Sequence, residues 1–168
     1  MGNLEEALLE KKESVAVGKI TYLFVCTGNT CRSPMCAALF NAKYAGLTHH
    51  AVSAGLLADG SGITHNAVKA LEAHGIRSTP VNDYKNHISR TVTEDDIAKA
   101  DKVIGITSSH AFTLITRYPA YASKITSLPA DIPDPFGGDE DEYCLCLENI
   151  DSALRSMFTP DGGKEKDL

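Results

Sequence analysis

One short segment of the chain combines a cysteine, small polar residues and an arginine at a spacing that could support chemistry. Residues 26–34 read Cys-Thr-Gly-Asn-Thr-Cys-Arg-Ser-Pro. The apolar, β-branched run at residues 20–25 predicts a strand that leads directly into Cys26. Ser33 followed by Pro34 is typical of a helix N-cap and a proline in the first helical turn. The segment is therefore predicted to be a loop between the end of a strand and the start of a helix.

Such a loop has the properties of an anion-binding site that contains a nucleophile. The backbone N–H groups at a helix N-terminus carry partial positive charge, which suits a dianionic phosphate. Gly28 and Asn29 tolerate positive φ and let the loop turn its amides inward. Arg32 offers a planar fork for two phosphate oxygens, and the same positive field favours the thiolate form of Cys26. The alternative, a buried structural cysteine beside a surface arginine, leaves the order of these residues unexplained.

A second segment could supply the proton that a leaving group needs. Residues 131–138 read Asp-Ile-Pro-Asp-Pro-Phe-Gly-Gly, so two prolines stiffen the backbone around Asp134 and the glycines permit a tight turn. A carboxyl group held over a bound phosphate can act as a general acid. Taken alone, the segment could equally be an ordinary loop with a solvated aspartate. Beside the cysteine loop, the catalytic interpretation is favoured.

The elements that must position these segments alternate between strands and helices. Strands are predicted at residues 20–25, 51–52, 102–107 and 124–126. Helices are predicted at residues 34 to about 46, 64 to about 75, 93–99, 109–118 and 139–157. This alternation predicts a three-layer α/β domain, in which helices cover both faces of a parallel sheet.

Length and composition are those of one ordinary domain, which we predict at residues 19–160 of the 168. The formal net charge of −6 argues against binding to nucleic acid or an anionic membrane, and no apolar run is long enough to span a membrane.

Residues 1–18 are predicted to be a flexible extension, with a partner-binding helix as the alternative, and residues 161–168 a disordered tail. Five cysteines, an odd number, favour the reducing cytoplasm over a disulfide framework.

No cluster of residues predicts a metal site or a cofactor site. Cys144 and Cys146 are two residues apart on a predicted helix, so one is expected to pack inside and the other to be half-exposed. The histidines at positions 49, 50, 65, 74 and 110 are scattered, and surface or loop positions are expected for them.

The cysteine loop and the Asp-Pro-Phe-Gly-Gly segment together resemble the low-molecular-weight protein tyrosine phosphatases, over about residues 19–158. The resemblance implies a four-stranded parallel sheet with helices on both faces and a reaction without metal. It implies that Cys26 is the nucleophile and forms a phosphocysteine. Arg32 would hold the phosphate, and Asp134 would act first as general acid and then as general base. The implied partners are a phosphorylated protein as substrate and inorganic phosphate as product.

The resemblance also implies which residues shape and support the phosphate-binding loop. Ser33 would bond to the Cys26 thiolate, and Asn29 would fix the loop with help from Ser53 and His87. The full implied set of loop and support residues is Thr27, Gly28, Asn29, Thr30, Cys31, Ser33, Ser53 and His87. Cys31 matches a second loop cysteine that forms a reversible disulfide with the nucleophile.

Two departures of the chain from the family pattern bear on the site. The stretch between Gly75 and His87 is longer, and no tyrosine pair follows Pro135. Phe136 can still form one wall of the substrate cleft, with an open lip at Gly137.

Thr30 bears on which phosphorylated side chain is bound. Phosphotyrosine members of the family usually carry a larger apolar residue there, whereas Cys-Thr-Gly-Asn-Thr-Cys-Arg with Asp-Pro-Phe-Gly-Gly resembles the protein arginine phosphatases of Gram-positive bacteria. A threonine hydroxyl can accept a hydrogen bond from a guanidinium group, and its small size admits the width of that group. Phosphoarginine is therefore favoured slightly over phosphotyrosine, with a phosphotyrosine-only enzyme as the alternative.

Three other functions fit the sequence less well. Arsenate reductases share the cysteine loop but need further redox cysteines in mid-chain, and here no cysteine lies between Cys36 and Cys144. A non-catalytic phosphate-binding module would be expected to lack the nucleophile, the arginine or the acid. Thiol–disulfide exchange would leave Arg32 without a role.

Overall fold

The computed structural model describes residues 19–160, which form a sheet of four parallel strands. The strands are β1 (Ile20–Cys26), β2 (His49–Gly55), β3 (Lys102–Gly105) and β4 (Ile125–Ser127). Their order across the sheet is β2-β1-β3-β4, so the strand that ends at Cys26 is a central one. The carboxyl ends of parallel strands meet at one edge, where ligands bind in open α/β sheets.

Helices occupy the connections between the strands. Within residues 19–160 the α-helices are α1 (Arg32–Lys43), α2 (His65–Ala73), α3 (Glu94–Lys99), α4 (Ser108–Arg117) and α5 (Glu140–Met157). Short 3₁₀ segments lie at Tyr84–Asn86 and Pro119–Lys124. The capping box predicted from Thr93 and Asp96 opens α3, because the threonine hydroxyl accepts from the Asp96 N–H and the carboxylate accepts from the Thr93 N–H.

Side chains of β1 alternate between two apolar cores, one on each face of the sheet. Tyr22 and Phe24 belong to a core that contains residues of α1, α2 and α5. Leu23 and Val25 belong to a second core that contains residues of α3 and α4. Because successive strand residues point to opposite faces, helices must cover both sides of the sheet. The predicted fold class, a three-layer α/β structure with four parallel strands, is confirmed.

Strand β2 is longer than its sequence predicts. Only residues 51–52 looked like strand, but β2 pairs with β1 along seven positions, from Ile20 opposite His49 to Cys26 opposite Gly55. Histidine, alanine, serine and glycine have little intrinsic preference for strands, so pairing with the apolar β1 orders this edge strand. His49 is buried there, which corrects the expected surface position.

Helix α1 begins at Arg32, two residues earlier than predicted. Its N-cap is Cys31, which makes no side-chain capping bond, and Ser33 lies in the first turn. The Ser33 hydroxyl is turned towards the Cys26 thiol, so it is not the N-cap that the Ser-Pro pair indicated. Strand β3 likewise ends at Gly105, and Thr107 is the N-cap of α4 with its hydroxyl accepting from the His110 N–H.

Cys144 and Cys146 behave as the helical spacing predicts, since Cys146 is buried and Cys144 is partly exposed. The extension predicted at residues 1–18 and the tail at 161–168 lie outside the described residues. Within residues 19–160, no helix has the length and apolar character needed to cross a membrane.

Candidate active site

Cys26 ends the central strand β1 with its thiol facing the loop that follows. Its sulfur lies 3.0 Å from the Ser33 hydroxyl oxygen and accepts a hydrogen bond of 3.3 Å from the Asn29 backbone N–H. The side chain is only 2% exposed. A thiolate at this position would be stabilised by both contacts, because hydrogen bonds to a charged group are the stronger ones.

Asn29 holds the centre of the loop from inside the protein. It has a φ of 59°, the only positive φ at a non-glycine among residues 19–160, and it is fully buried. Its amide nitrogen donates to the hydroxyls of Ser33 at 2.8 Å and Ser53 at 3.0 Å. Its amide oxygen accepts from the Arg90 N–H at 3.1 Å. Asparagine tolerates this left-handed backbone, and its amide group joins α1, β2 and the segment around Arg90.

His87 supports the same loop from the long segment before α3. Its Nε2 lies 2.8 Å from the Asn29 carbonyl oxygen, which can only accept, so Nε2 carries the hydrogen. Burial lowers the pKa of His87, while this hydrogen bond acts in the opposite direction. Although the segment is longer than the family pattern, it still brings His87 to the loop.

Gly55, at the end of β2, allows the loop to pack directly on the sheet. A Cβ atom there would lie 2.6 Å from the Thr27 carbonyl oxygen and 3.0 Å from the Asn29 Cβ. Any side chain at this position would displace the loop, so the glycine is required by the close approach of the two backbones.

Arg32 and Asp134 lie close together in the lining of one cleft. Arg32 is buried, and its Nη1 donates to the Ile132 carbonyl oxygen at 3.0 Å. Its Nη2 lies 3.7 Å from the Asp134 Oδ2, and the Asp134 side chain is 54% exposed. The Phe136 N–H donates to the Asp134 Oδ1 at 3.1 Å, which orients the carboxylate.

The cleft has a volume of about 530 Å³ and opens above the cysteine loop. Residues 26–32 form its floor, and two rims rise beside it. One rim is formed by Asp134 and Phe136, and the other by residues after β2, namely Leu57, Ala58, Asp59 and Ser61. A polar floor that contains a thiol and a guanidinium group, between rims that are partly apolar, suits a phosphorylated side chain.

Cys31 lies on the loop with its thiol directed towards the interior. Its sulfur is 3.2 Å from the Tyr143 hydroxyl and 3.5 Å from the Thr64 hydroxyl. Burial and the bond to Cys31 raise the pKa of Tyr143 to about 12, so this hydroxyl stays protonated and can donate to a sulfur. Both Cys31 and Cys26 are free thiols in this structure.

The pattern that defines the low molecular weight phosphotyrosine protein phosphatases matches residues 21–166 of this chain. The chain belongs to this family. The prediction made from the cysteine loop and the Asp-Pro-Phe-Gly-Gly segment is therefore confirmed.

Relatives of this phosphatase include enzymes named for different substrates. The protein-arginine-phosphatase of Bacillus subtilis is 36% identical, in an alignment that covers 80% of this chain and 92% of that protein. A low molecular weight protein-tyrosine-phosphatase of Streptomyces coelicolor is 33% identical, with coverage of 80% and 89%. A solved structure of the arginine phosphatase YwlE has its active-site cysteine replaced by a serine that is phosphorylated. It superposes with a TM-score of 0.70 at 32% identity and covers 81% of this chain and 91% of that one.

The residues predicted for the site of this phosphatase fall into two groups in the structure. Those that line the cleft are Cys26, Thr27, Gly28, Asn29, Thr30, Cys31, Arg32, Asp134 and Phe136. Ser33, Ser53 and His87 lie behind the loop and contact it through Asn29 or Cys26.

Sequence reasoning missed the rim that follows β2. Leu57 is 77% exposed although it lies beside the cleft, and the Asp59 carboxylate is held by the N–H and hydroxyl of Ser61. One signal could have found this rim, because loops after the carboxyl ends of parallel strands gather at the ligand-binding edge. That signal was lost because only residues 51–52 were predicted as strand, so the end of β2 at Gly55 was not located.

His110 was expected at the surface and is instead 5% exposed beside the loop. Its Nε2 lies 3.0 Å from the Thr27 hydroxyl oxygen. Burial, followed by the nearby Arg32 guanidinium, lowers the pKa of His110 to about 4. Sequence offered no sign of this contact, since 83 positions separate the two residues.

Proposed function

We propose that this phosphatase hydrolyses phosphorylated side chains of proteins through a phosphocysteine at Cys26, with phosphoarginine as the favoured substrate. The observation that carries the proposal is the convergence of a thiol, a guanidinium group and a carboxyl group on one cleft. Arg32 and the loop amides supply positive charge to the phosphoryl group, so the proposed mechanism uses no metal ion or cofactor. The phosphorylated serine in the YwlE mutant supports covalent transfer to the corresponding side chain.

In the first step the Cys26 thiolate attacks phosphorus. The sulfur–phosphorus bond forms as the bond from phosphorus to the leaving nitrogen or oxygen breaks. The leaving atom takes the electron pair of that bond and a proton from the Asp134 carboxyl group. Arg32 can hold two phosphoryl oxygens through both steps, because its Nη1 bond to the Ile132 carbonyl fixes the guanidinium plane.

In the second step water attacks the phosphocysteine. Asp134, now ionised, accepts a proton from that water, and the sulfur leaves as the thiolate with the electron pair of its bond to phosphorus. The Ser33 hydroxyl and the Asn29 N–H, at 3.0 and 3.3 Å from the sulfur, stabilise the thiolate that leaves. Inorganic phosphate is the product.

Rapid acid quenching during turnover, followed by peptide mass spectrometry, tests the intermediate. A phosphoryl group on the peptide that contains Cys26 is expected, and it should be absent from Cys26→Ala, which has no nucleophile at this position. A Cys31→Ser variant is the matched control and should still yield the phosphocysteine. A phosphoryl group trapped on any other residue would overturn the assignment.

Two residues of the cleft support phosphoarginine as the substrate. Thr30 is small and carries a hydroxyl that can accept from a guanidinium N–H. Asp59 adds a carboxylate on the rim, held in place by Ser61, and a carboxylate is the natural partner of a guanidinium group. The 36% identity to the Bacillus subtilis protein-arginine-phosphatase agrees with this choice.

Phosphotyrosine is the second candidate, and the exposed apolar residues of the cleft favour it. Leu57 and Phe136 are 77% and 70% exposed and both line the cleft, where they could pack against a phenyl ring. The relative from Streptomyces coelicolor is named for phosphotyrosine.

Matched peptides that carry one phosphoarginine or one phosphotyrosine decide between the two. We expect a higher kcat/KM on phosphoarginine, and Thr30→Ile is expected to lower it about tenfold while sparing the phosphotyrosine peptide. A preference for phosphotyrosine that Thr30→Ile leaves unchanged would identify a phosphotyrosine-only enzyme. Wild-type protein that binds phosphate but hydrolyses neither peptide would identify a binding module.

We propose the cytoplasm as the site of action. All five cysteines of the chain are free thiols, and a reducing compartment would keep the Cys26 nucleophile and the adjacent Cys31 in that form.

A further inference from the structure

His110 is a buried histidine with both ring nitrogens engaged, at the first turn of α4. Its Nδ1 lies 3.1 Å from the Thr107 backbone nitrogen and 3.1 Å from the Thr107 hydroxyl. Its Nε2 lies 3.0 Å from the Thr27 hydroxyl, on the loop that contains Cys26. The ring therefore connects the start of one helix to the floor of the cleft.

These contacts fix the tautomer of His110. A backbone N–H can only donate, so the Nδ1 that faces Thr107 must present its lone pair. The hydrogen of the neutral ring is then on Nε2, and it is donated to the Thr27 hydroxyl oxygen.

The surroundings keep His110 in this neutral form. A proton on Nδ1 would point at the Thr107 N–H, and the resulting cation would lie in the field of Arg32. Burial and Arg32 lower the pKa of His110 to about 4, although Asp134 and Asp131 act in the opposite direction. Around pH 7 the Nε2 position is a donor in essentially every molecule.

The donated hydrogen bond has a consequence for Thr27. Its hydroxyl accepts from His110, and it makes no other side-chain hydrogen bond within residues 19–160. Thr27 is an exposed residue that lines the cleft immediately after Cys26. The hydroxyl proton is therefore directed away from His110 and is available to an anionic oxygen bound in the cleft.

We propose that the Thr27 hydroxyl donates a hydrogen bond to the phosphoryl group, and that His110 is the positioning residue that orients it. Thr27 thereby adds a side-chain donor to the loop amides and Arg32. His110 acts only through Thr27 and touches neither substrate nor nucleophile. The proposal depends on the proposed function only in requiring that the cleft binds a phosphoryl group.

Two substitutions distinguish the contact at Nδ1 of His110 from the contact at Nε2. His110→Asn keeps a polar group near the Nδ1 position, where its oxygen can accept from the Thr107 N–H, but it loses the donor to Thr27. His110→Gln extends an amide N–H towards the Nε2 position and can restore that donor. His65→Asn, at an exposed histidine of α2 outside the cleft, is the matched control.

With para-nitrophenyl phosphate as substrate, His110→Asn and Thr27→Val are each expected to lower kcat about tenfold with little change in KM. In the double variant Thr27→Val/His110→Asn, kcat should fall about tenfold. Independent effects would instead lower it roughly a hundredfold. His110→Gln and Thr27→Ser should recover most of the loss. The inhibition constant of inorganic phosphate should rise in both Thr27→Val and His110→Asn.

Because His110→Asn keeps an acceptor for the Thr107 N–H, its lower kcat would not be explained by loss of the helix cap. The pH profile adds a test of whether His110 itself titrates during turnover. Because His110 stays neutral, both limbs of the kcat profile between pH 5 and 8 should keep their positions in His110→Asn. Any of three results would overturn the proposal. These are a wild-type kcat in His110→Asn, a hundredfold loss of kcat in the double variant, or a shifted limb of the pH profile. If His110→Asn fails to fold, a kcat for Thr27→Val equal to that of Thr27→Ser overturns it. Inactive wild-type protein would instead refute the proposed function.

Discussion

The two segments that carry the proposed chemistry are built in opposite ways. Five of the eight residues of the cysteine loop, residues 26–33, are buried, and the loop is held by a network centred on the amide and backbone of Asn29. The loop that carries Asp134 is open to solvent, with the Asp134 side chain 54% exposed. The contacts that hold it include a bond from Arg32 to the Ile132 carbonyl, two bonds from Ser108 to the Asp131 carboxylate and one from Asn66 to the Gly138 carbonyl.

This difference follows from what each segment has to do. A phosphoryl group has one size and charge, so a rigid arrangement of donors can be set in advance and requires no reorganisation during reaction. In the proposed mechanism Asp134 has to reach the leaving atom of the substrate, and later a water molecule. An exposed carboxyl group with few contacts suits that task, and changes to it should affect turnover more than stability.

The largest predicted effect is the loss of turnover in Asp134→Asn, which distinguishes the Asp134 loop from the cysteine loop. Removal of the acid should slow substrates with poor leaving groups by about a hundredfold, and para-nitrophenyl phosphate by only a few fold, because its leaving group needs little protonation. The free energy of unfolding should change by less than about 0.5 kcal/mol, since the side chain is exposed. Steady-state kinetics on aryl phosphates of graded leaving-group pKa, with urea unfolding, provide the test. Equal slowing across the series would remove Asp134 as the acid.

Asn29→Ala should show the opposite behaviour, a loss of stability that accompanies loss of activity. Ser33, Ser53 and the Arg90 N–H each lose a buried partner, which is expected to cost about 3 kcal/mol of unfolding free energy. Asn29→Gly is the matched control, because it also loses the amide but accepts the φ of 59° without strain. It should be the more stable of the two in urea unfolding. Wild-type stability in Asn29→Ala would show that the network does not hold the loop.

His110 and His87, behind the cysteine loop, should make the protein less stable in mild acid. Because the pKa of His110 is lowered to about 4, the unfolded chain binds a proton between pH 6.5 and 4 that the native chain does not. Stability is therefore complete above pH 6.5 and falls by roughly 2 kcal/mol as the pH approaches 4, with His87 acting in the same direction. Urea unfolding at pH 7, 6, 5 and 4.5 measures the slope. The slope should be shallower in His110→Asn, and parallel curves would contradict the lowered pKa.

The fold was predictable where local sequence carries the signal. Strand β1 is apolar and β-branched, and the capping box of α3 is complete within four residues. Strand β2 was predicted only at residues 51–52, because its other residues have little strand preference and become strand by pairing with β1. The predicted start of α1 was wrong by two residues for a related reason. Ser33 has the chemistry of an N-cap, but the thiol of Cys26 and the amide of Asn29 occupy its hydroxyl.

The residues of the site also divide into those that local sequence predicts and those that it does not. Residues 26–34 are contiguous, so type and spacing alone indicate a phosphate-binding nucleophile loop. Residues that reach the loop from elsewhere, such as His110 and the rim residues Leu57 and Asp59, carry no local signature of their role. Their positions depend on where strands end and on which helix packs over which strand, which is information that single-sequence patterns contain only weakly.

The smallest predicted effect concerns the rim, where a surface charge is expected to select the substrate. Asp59→Asn should lower kcat/KM about fivefold for a phosphoarginine peptide and leave a phosphotyrosine peptide unaffected, because only the guanidinium group offers N–H donors to the carboxylate. Ser61 bonds to Asp59 and should still hold the amide oxygen in place. Asp95→Asn, at an exposed α3 position paired with Lys99, makes the same charge change away from the cleft and should alter neither value. A fivefold loss on both peptides would instead assign Asp59 to the shape of the rim.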